Sequence, residues 1–86
     1  MEINFISHAL RKFKLLERYG FSITEERVKD IIESPESVTS GKKGRKIAQA
    51  GISDDHVLRV VFEEEKDRIR VITFYPARRG RYEGQL

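Results

Sequence analysis

Three arginines lie within four residues near the end of the sequence, at Arg78, Arg79 and Arg81, and Tyr82 follows directly. A guanidinium binds phosphate oxygens through parallel N–H groups, and a tyrosine ring can stack on a nucleobase. Tyr82 can also donate a proton or pack against the domain. Since lysine or glutamate would serve solubility equally well, this spacing favours contact with nucleic acid.

Two further arginines lie inside apolar stretches that read as strands, Arg59 in "HVLRVVFE" and Arg70 in "RIRVITFYP". A buried guanidinium without a partner is costly, so each should reach a carboxylate or an anionic ligand. The acidic segment 63–67 supplies competing carboxylates, although its glutamates, Glu63–Glu65, are interpreted as a solvated turn. Phosphate binding and internal pairing are therefore both open for Arg59 and Arg70.

A basic loop precedes another predicted strand and contains Lys42, Lys43, Arg45 and Lys46. Arg45 and Lys46 can hold a scissile phosphate at the strand entry, with Lys42 and Lys43 as RNA-binding residues beside them. The competing interpretation is an ordinary charged turn in solvent.

The chain has two histidines, no cysteine and none of the specific catalytic motifs. His8, at the start of the first predicted helix, can act as general acid or base, or serve as a surface or capping residue. His56 follows two aspartates at a strand start, which favours a role at the strand edge. Without thiolates a zinc site is not expected, and we predict no metal and no cofactor.

Length and composition predict one domain over residues 1–86, because 86 residues with 38% hydrophobic content bury only a thin core. A basic segment followed by a long apolar run is missing, which predicts a cytoplasmic protein without a membrane span. The net charge of +3 is segregated: segments 11–18 and 42–46 are basic, and segments 25–36 and 63–67 are acidic. Such polarity suits a polyanion, although charged patches also occur without one.

Two amphipathic helices are predicted in the first part of the chain. The first is capped by Ser7 and ends at Gly20, and the second is capped by Thr24 and ends before Pro35. The apolar stripe of the first helix consists of Leu10, Phe13, Leu16 and Tyr19. The apolar face of the second consists of Val28, Ile31 and Ile32. Both stripes recur at helical spacing, so each helix should cover a sheet with one face.

From Glu36 onward the period is two, which predicts strands in "ESVTS", "RKIAQAGI", "HVLRVVFE" and "RIRVITFYP", the last two joined as a hairpin. The fold class is therefore α+β, with two N-terminal helices on one face of an antiparallel sheet of about four strands. The opposite face is partly open, and Arg59 should project onto it. The weakly alternating "EINFI" can add a short strand, and the basic tail at 77–86 is of undecided order.

Three stretches together resemble a known family: "SHALRKFKLLERYGFSITEERVKDIIESPESV", "GRKIAQAG" and "HVLRVVFEEEKDRIRVITFYPARRGRYE". The chain resembles the BrnT-like toxins of the RelE/ParE superfamily and related small domains of unknown function. The most specific part is "DRIRVITFYPARRGRYE", in which an apolar strand leads to an Ala-Arg pair and an Arg-Tyr-Glu ending. The resemblance covers roughly residues 7–83.

The resemblance implies a RelE-like domain that cuts RNA without a metal, as the toxin of a type II toxin–antitoxin pair. It implies RNA, including ribosome-associated mRNA, and a cognate antitoxin protein as partners. A base would withdraw the 2'-hydroxyl proton, arginines would stabilise the phosphorane, and an acid would protonate the leaving 5'-oxygen. The matching catalytic residues are Arg45, Lys46, Arg70, Arg78, Tyr82 and His8, and the matching RNA-binding residues are Arg79 and Arg81. Arg59, Lys42 and Lys43 are predicted as further RNA-binding residues from the sequence pattern and not from the resemblance.

Two other functions are compatible with the sequence. A non-catalytic RNA-binding or protein-interaction module would keep the basic surface without a positioned base. A structural protein would pair its arginines internally with the acidic segments and bind no ligand.

Overall fold

The structure, a computed structural model, describes residues 2–80 of the chain. This part contains two helices and five strands. They are β1 (Glu2–Phe5), α1 (Ser7–Arg18), α2 (Glu25–Glu33), β2 (Ser37–Ser40), β3 (Lys46–Gly51), β4 (His56–Glu65) and β5 (Arg68–Arg78). A short 3-10 turn, Lys42–Gly44, joins β2 to β3. The predicted helices and strands are all present, and the last strand continues into the segment predicted as a tail.

The sheet has the order β1-β5-β4-β3-β2 and is mixed. Strands β2 to β5 pair antiparallel in chain order, as the sequence predicts. The expectation of about four antiparallel strands is nevertheless incomplete, because β1 adds a fifth strand parallel to β5, with Glu2 opposite Arg68 and Phe5 opposite Val71. A parallel partner cannot be reached by a tight turn, and here the whole chain between the two strands makes the connection.

The core lies between the two helices and one face of the sheet. Its buried helix residues are Ala9 and Leu16 of α1 and Val28 and Ile31 of α2. Its buried sheet residues include Ala48, Leu58, Val60, Phe62, Val71 and Phe74. The prediction that both helices cover one sheet face is therefore confirmed. Neither helix in residues 2–80 has the length and apolar character that a membrane crossing requires.

The buried stripe of α1 is narrower than its apolar spacing suggests. A step of three residues rotates about 60° backwards around a helix of 3.6 residues per turn, so residues at spacing three drift across its surface. Leu16 is buried, but Leu10 and Tyr19 are 47% and 73% exposed. Ser7 is the first helical residue rather than the cap, and the Ile6 N–H donates to the Val71 carbonyl, which fixes the helix start to β5.

Helix α2 begins as predicted, with the Thr24 hydroxyl accepting a hydrogen bond from the Arg27 N–H at 3.1 Å. We expect Thr24→Ala to lower the free energy of unfolding by about 1 kcal/mol, because a helix N–H loses its acceptor. Urea titration measures this, and Thr24→Ser, which keeps the hydroxyl, should lose much less. Equal losses for both variants would show that the cap contributes nothing.

Strand β5 carries a β-bulge at Ile72. Val71 is opposite Phe62 and Thr73 is opposite Val61, so Ile72 is an extra residue with no partner on β4. Strict alternation predicts that Val71, Thr73 and Tyr75 share one face. The bulge instead keeps Val71 in the core and turns Thr73 and Tyr75 to the open face, while Phe74 enters the core with no exposed surface. The simple alternation predicted for this strand is therefore wrong beyond Ile72.

Candidate functional site

Two arginines meet on one carboxylate at the open face of the sheet. Arg45 Nε donates to Glu63 Oε1 at 3.0 Å, and Arg70 Nη2 donates to Glu63 Oε2 at 3.3 Å. Strand pairing places them together. Glu63 of β4 is opposite Arg70 of β5. Arg45 immediately precedes β3, whose first residue, Lys46, is opposite Phe62, the residue before Glu63. We call Arg45, Glu63 and Arg70 the Glu63 cluster.

The charge balance of this cluster is positive. Hydrogen bonding from Arg45 and the positive charges of Arg70 and Arg45 lower the pKa of the Glu63 carboxyl, against a smaller opposing effect of desolvation. Glu63 is therefore ionised at neutral pH, and its stabilising effect is lost as the pH falls through the lowered folded-state pKa. One carboxylate and two guanidiniums give the cluster a net charge of +1, which Glu65 partly offsets, because Glu65 Oε1 lies 3.9 Å from Arg70 Nη2.

A second polar cluster surrounds Arg59, which is 8% exposed. Arg59 Nη1 donates to Gln49 Oε1 at 2.6 Å and Arg59 Nε donates to the Tyr75 hydroxyl at 3.1 Å. The guanidinium carbon also lies 5.9 Å from the Tyr75 ring centroid. We call Arg59, Gln49 and Tyr75 the Arg59 cluster. The prediction that Arg59 projects onto the open face is confirmed, and two of its partners are neutral side chains.

The two clusters lie along the same strand. Arg59 and Glu63 are four residues apart on one face of β4, which separates their Cα atoms by about 13 Å. Half-buried Val61 and Thr73, paired across β4 and β5, lie between them. The open face therefore presents two polar groups with a less polar strip between.

Lys46 does not join the Glu63 cluster. It is opposite Phe62, whose side chain is in the core, so Lys46 and Arg45 point to opposite faces of the sheet. Its Nζ forms an ion pair with Glu64. The expectation that Arg45 and Lys46 hold one phosphate together is therefore wrong.

The described tail arginines lie at the other end of the sheet. Arg79 Nη1 is 3.5 Å from Glu36 Oε1, beside Gly51 at the end of β3. Arg45 is at the start of β3, about 20 Å away along six strand residues. Arg78 is exposed and pairs in register with His56 at the end of β5. The structure therefore does not bring Arg78 together with Arg45, although the resemblance assigns both of them to the catalytic residues.

The remaining predicted residues are distributed over the molecule. His8 is exposed on α1, in the helical layer across the sheet from the Glu63 cluster. Lys42 and Lys43 are exposed in the 3-10 turn, where Lys43 has a left-handed φ of 59°. Arg81 and Tyr82 lie outside the described residues.

His56 makes contacts at the same end of the sheet as Arg78. Its Nδ1 is 2.9 Å from Asp55 Oδ1. The centroid of its ring lies 5.2 Å from that of Phe21, with the two rings packed edge to face. The His56 hydrogen bond, with a second from Ser53, lowers the pKa of the Asp55 carboxyl. These contacts leave His56 far from the Glu63 cluster, as its position at the opposite end of β4 requires.

Sequence reasoning missed three residues of the open face: Glu63, Gln49 and Tyr75. Glu63 was interpreted as part of a solvated turn, but β4 continues through Glu65 and the turn contains only Lys66 and Asp67. The available signal was parity, because residues 59, 61 and 63 of one strand share a face. Tyr75 could not be placed in this way, because the bulge reverses the parity of β5.

Comparisons with known proteins do not assign the chain: no family model, curated protein or solved structure matches it. Within residues 2–80, no group of three or more His, Asp or Glu side chains is placed to hold a metal ion. The two clusters and the charge distribution are therefore the features that bear on function.

Proposed function

We propose that this protein is a metal-independent endoribonuclease with a RelE-like fold, acting as the toxin of a type II toxin–antitoxin pair, with its reaction centre at the Glu63 cluster. The observation that supports this proposal is a single carboxylate held between the guanidiniums of Arg45 and Arg70 on an open sheet face. The arrangement brings a base and two phosphate-binding groups within reach of one another.

In the proposed reaction, Arg45 and Arg70 bind the non-bridging oxygens of a phosphodiester. The Glu63 carboxylate takes the proton of the adjacent 2'-hydroxyl, and the 2'-oxygen attacks phosphorus while the bond to the 5'-oxygen breaks. The leaving 5'-oxygen takes a proton from water, and the resulting hydroxide recovers the proton from Glu63. The products are a 2',3'-cyclic phosphate and a 5'-hydroxyl.

Phosphate binding also improves Glu63 as a base. In the ligand-free protein the two arginines lower the pKa of Glu63, which weakens it as a proton acceptor. A phosphate between the guanidiniums offsets their positive charge and competes for their hydrogen bonds. Bound substrate is therefore expected to raise the pKa of Glu63 at the step that needs a base.

A second candidate is a non-catalytic RNA-binding or protein-interaction module of the same fold. It is favoured by the distribution of the other titratable groups, since Lys46 and His8 are directed away from Glu63. Under this candidate the Glu63 cluster is a structural ion pair, and the protein binds RNA or a partner protein without cutting.

One assay separates these functions. Purified protein is incubated with total RNA in EDTA, and 2',3'-cyclic phosphate ends are quantified. The proposal expects such ends to accumulate without added metal, whereas a binding module produces none. The proposed toxin, acting in the cytoplasm, should also arrest growth on expression, and an acidic or DNA-binding protein from a neighbouring open reading frame should relieve the arrest.

We expect Arg70→Ala to abolish detectable cleavage while weakening RNA binding by only about tenfold, the scale of one lost charged contact. Cleavage suffers more because the charge that develops on phosphorus in the transition state loses a stabilising guanidinium. Cyclic phosphate release and filter binding measure the two effects.

The matched control for this variant is Arg68→Ala, two residues earlier on the same strand and not in contact with Glu63. It removes the same charge and should cut at a rate close to that of the wild type. Equal loss of cleavage in both variants would show that Arg70 acts only through net charge.

A further inference from the structure

Helix α1 presents a row of cations on the face that points away from the sheet. Ala9 and Leu16 are buried on its inner face, and Arg11, Lys14 and Arg18 lie on the opposite side at positions i, i+3 and i+7. Seven residues of helix span about 10.5 Å. We call Arg11, Lys14 and Arg18 the α1 basic row.

The pairing of charges distinguishes this row from several cations of the sheet. Among residues 2–80, Arg45, Lys46, Arg70 and Arg79 form ion pairs with glutamates, whereas Arg68 and Arg78 of β5 do not. Within residues 2–80, no member of the α1 basic row has a carboxylate within 4.0 Å. Because Glu17 is the only acidic residue of the helix, positive charge is left uncompensated there.

The surface beside the α1 basic row also forms a groove. A shallow groove of about 420 Å³ is lined by His8, Arg11, Lys12, Lys14, Leu15 and Arg18. Leu15 is 43% exposed at the edge of the row, and Leu10 is 47% exposed on the other side. Leu15 is the apolar residue of this lining and lies between Arg11, Lys12 and Arg18, whereas Leu10 lies outside the groove.

This arrangement fits a polyphosphate better than a lipid surface. A helix that lies on a membrane buries an apolar face in the lipid and keeps its cations on the polar face. The apolar face of α1 is already buried against the sheet, and its outward face has cations at the centre. A row of unpaired guanidinium and ammonium groups matches the regularly spaced charges of a nucleic-acid backbone.

We infer that the α1 basic row is an RNA-binding surface that contacts the phosphodiester backbone on the side of the sheet opposite the Glu63 cluster. The row needs no catalytic group, so this inference stands whether or not the Glu63 cluster cuts RNA. RNA held there would be anchored by the helical layer while another segment of the same molecule reached the open sheet face.

The test is the triple variant Arg11→Gln, Lys14→Gln, Arg18→Gln, in which glutamine preserves helix propensity. Binding of a short single-stranded oligoribonucleotide is measured across salt concentrations. Each lost phosphate contact removes about 0.7 from the slope of log affinity against log salt, so the slope should fall by about 2. Affinity near ~0.15 M salt should fall by about one to two orders of magnitude.

Two sets of controls make the result decisive. The variant Lys29→Gln, Lys66→Gln, Arg68→Gln removes the same charge elsewhere and should change the slope by less than about 1. A similar slope loss in both triple variants would attribute binding to net charge and overturn the inference. Two other results would also overturn the inference. One is competition by polyglutamate as strong as competition by RNA, and the other is an α1 triple variant that loses binding to phosphatidylserine vesicles but keeps its binding to RNA.

The α1 result is also separable from the proposed cleavage. Glu63→Gln should bind the oligoribonucleotide at least as tightly as the wild type, because the α1 basic row is unchanged and a negative charge is removed. If the wild-type protein binds RNA with the expected salt dependence but does not cut it, the nuclease is rejected and the α1 surface remains. Near-wild-type circular dichroism and thermal midpoint confirm that the triple variant is folded, since all three side chains are exposed.

Discussion

Glu63→Gln is expected to reduce RNA cleavage by about two to four orders of magnitude, the range that a positioned general base contributes. Glutamine has nearly the same shape and can still accept hydrogen bonds from Arg45 and Arg70, but it cannot take the 2'-hydroxyl proton. RNA binding should be retained or strengthened, because the variant carries one more positive charge. This split between cleavage and binding distinguishes a base from a group that merely holds substrate.

The measurement is the rate of 2',3'-cyclic phosphate formation with saturating RNA in EDTA. Glu64→Gln is the matched control, because Glu64 follows Glu63 on β4 but points to the other face and pairs with Lys46. It should cut at nearly the wild-type rate. If Glu63→Gln cuts as fast as Glu64→Gln, the carboxylate is only a partner for two arginines and the proposed mechanism is wrong.

Phe74→Ala is expected to lower the free energy of unfolding by about 3–5 kcal/mol, the usual loss for a fully buried phenylalanine. Phe74 has no exposed surface, and its ring centroid lies 4.7 Å from that of Phe13 on α1. Truncation leaves a cavity where the helix meets the strand that carries the bulge. Since domains of this size are stable by only about 5–15 kcal/mol, the loss is a large part of the total.

Urea unfolding followed by circular dichroism measures this effect. Leu15→Ala, at a half-exposed position of α1, should lose far less stability than Phe74→Ala. If Phe74→Ala does not fold, Phe74→Leu, which keeps much of the volume, provides a measurable intermediate loss. A cost below about 1 kcal/mol for Phe74→Ala would contradict the packing of α1 on β5.

The sequence by itself determined the helices, the four antiparallel strands and the side of the sheet that each helix covers. These features follow from local patterns, since helical and alternating periods specify which side chains can share a face. The cap at Thr24 was predicted because a capping side chain bonds within its own helix turn. Arg59 was placed on the open face by its apolar neighbours on β4.

Only the tertiary structure decided how distant segments meet. The parallel pairing of β1 with β5 depends on the path of the whole intervening chain, and four residues of weak alternation do not specify a partner. The bulge at Ile72 reverses the parity of the second half of β5, which no period-two pattern reveals. Strand register likewise brought Arg45 and Arg70 to Glu63 and turned Lys46 to the other face, because a shift of one residue exchanges the faces of every side chain.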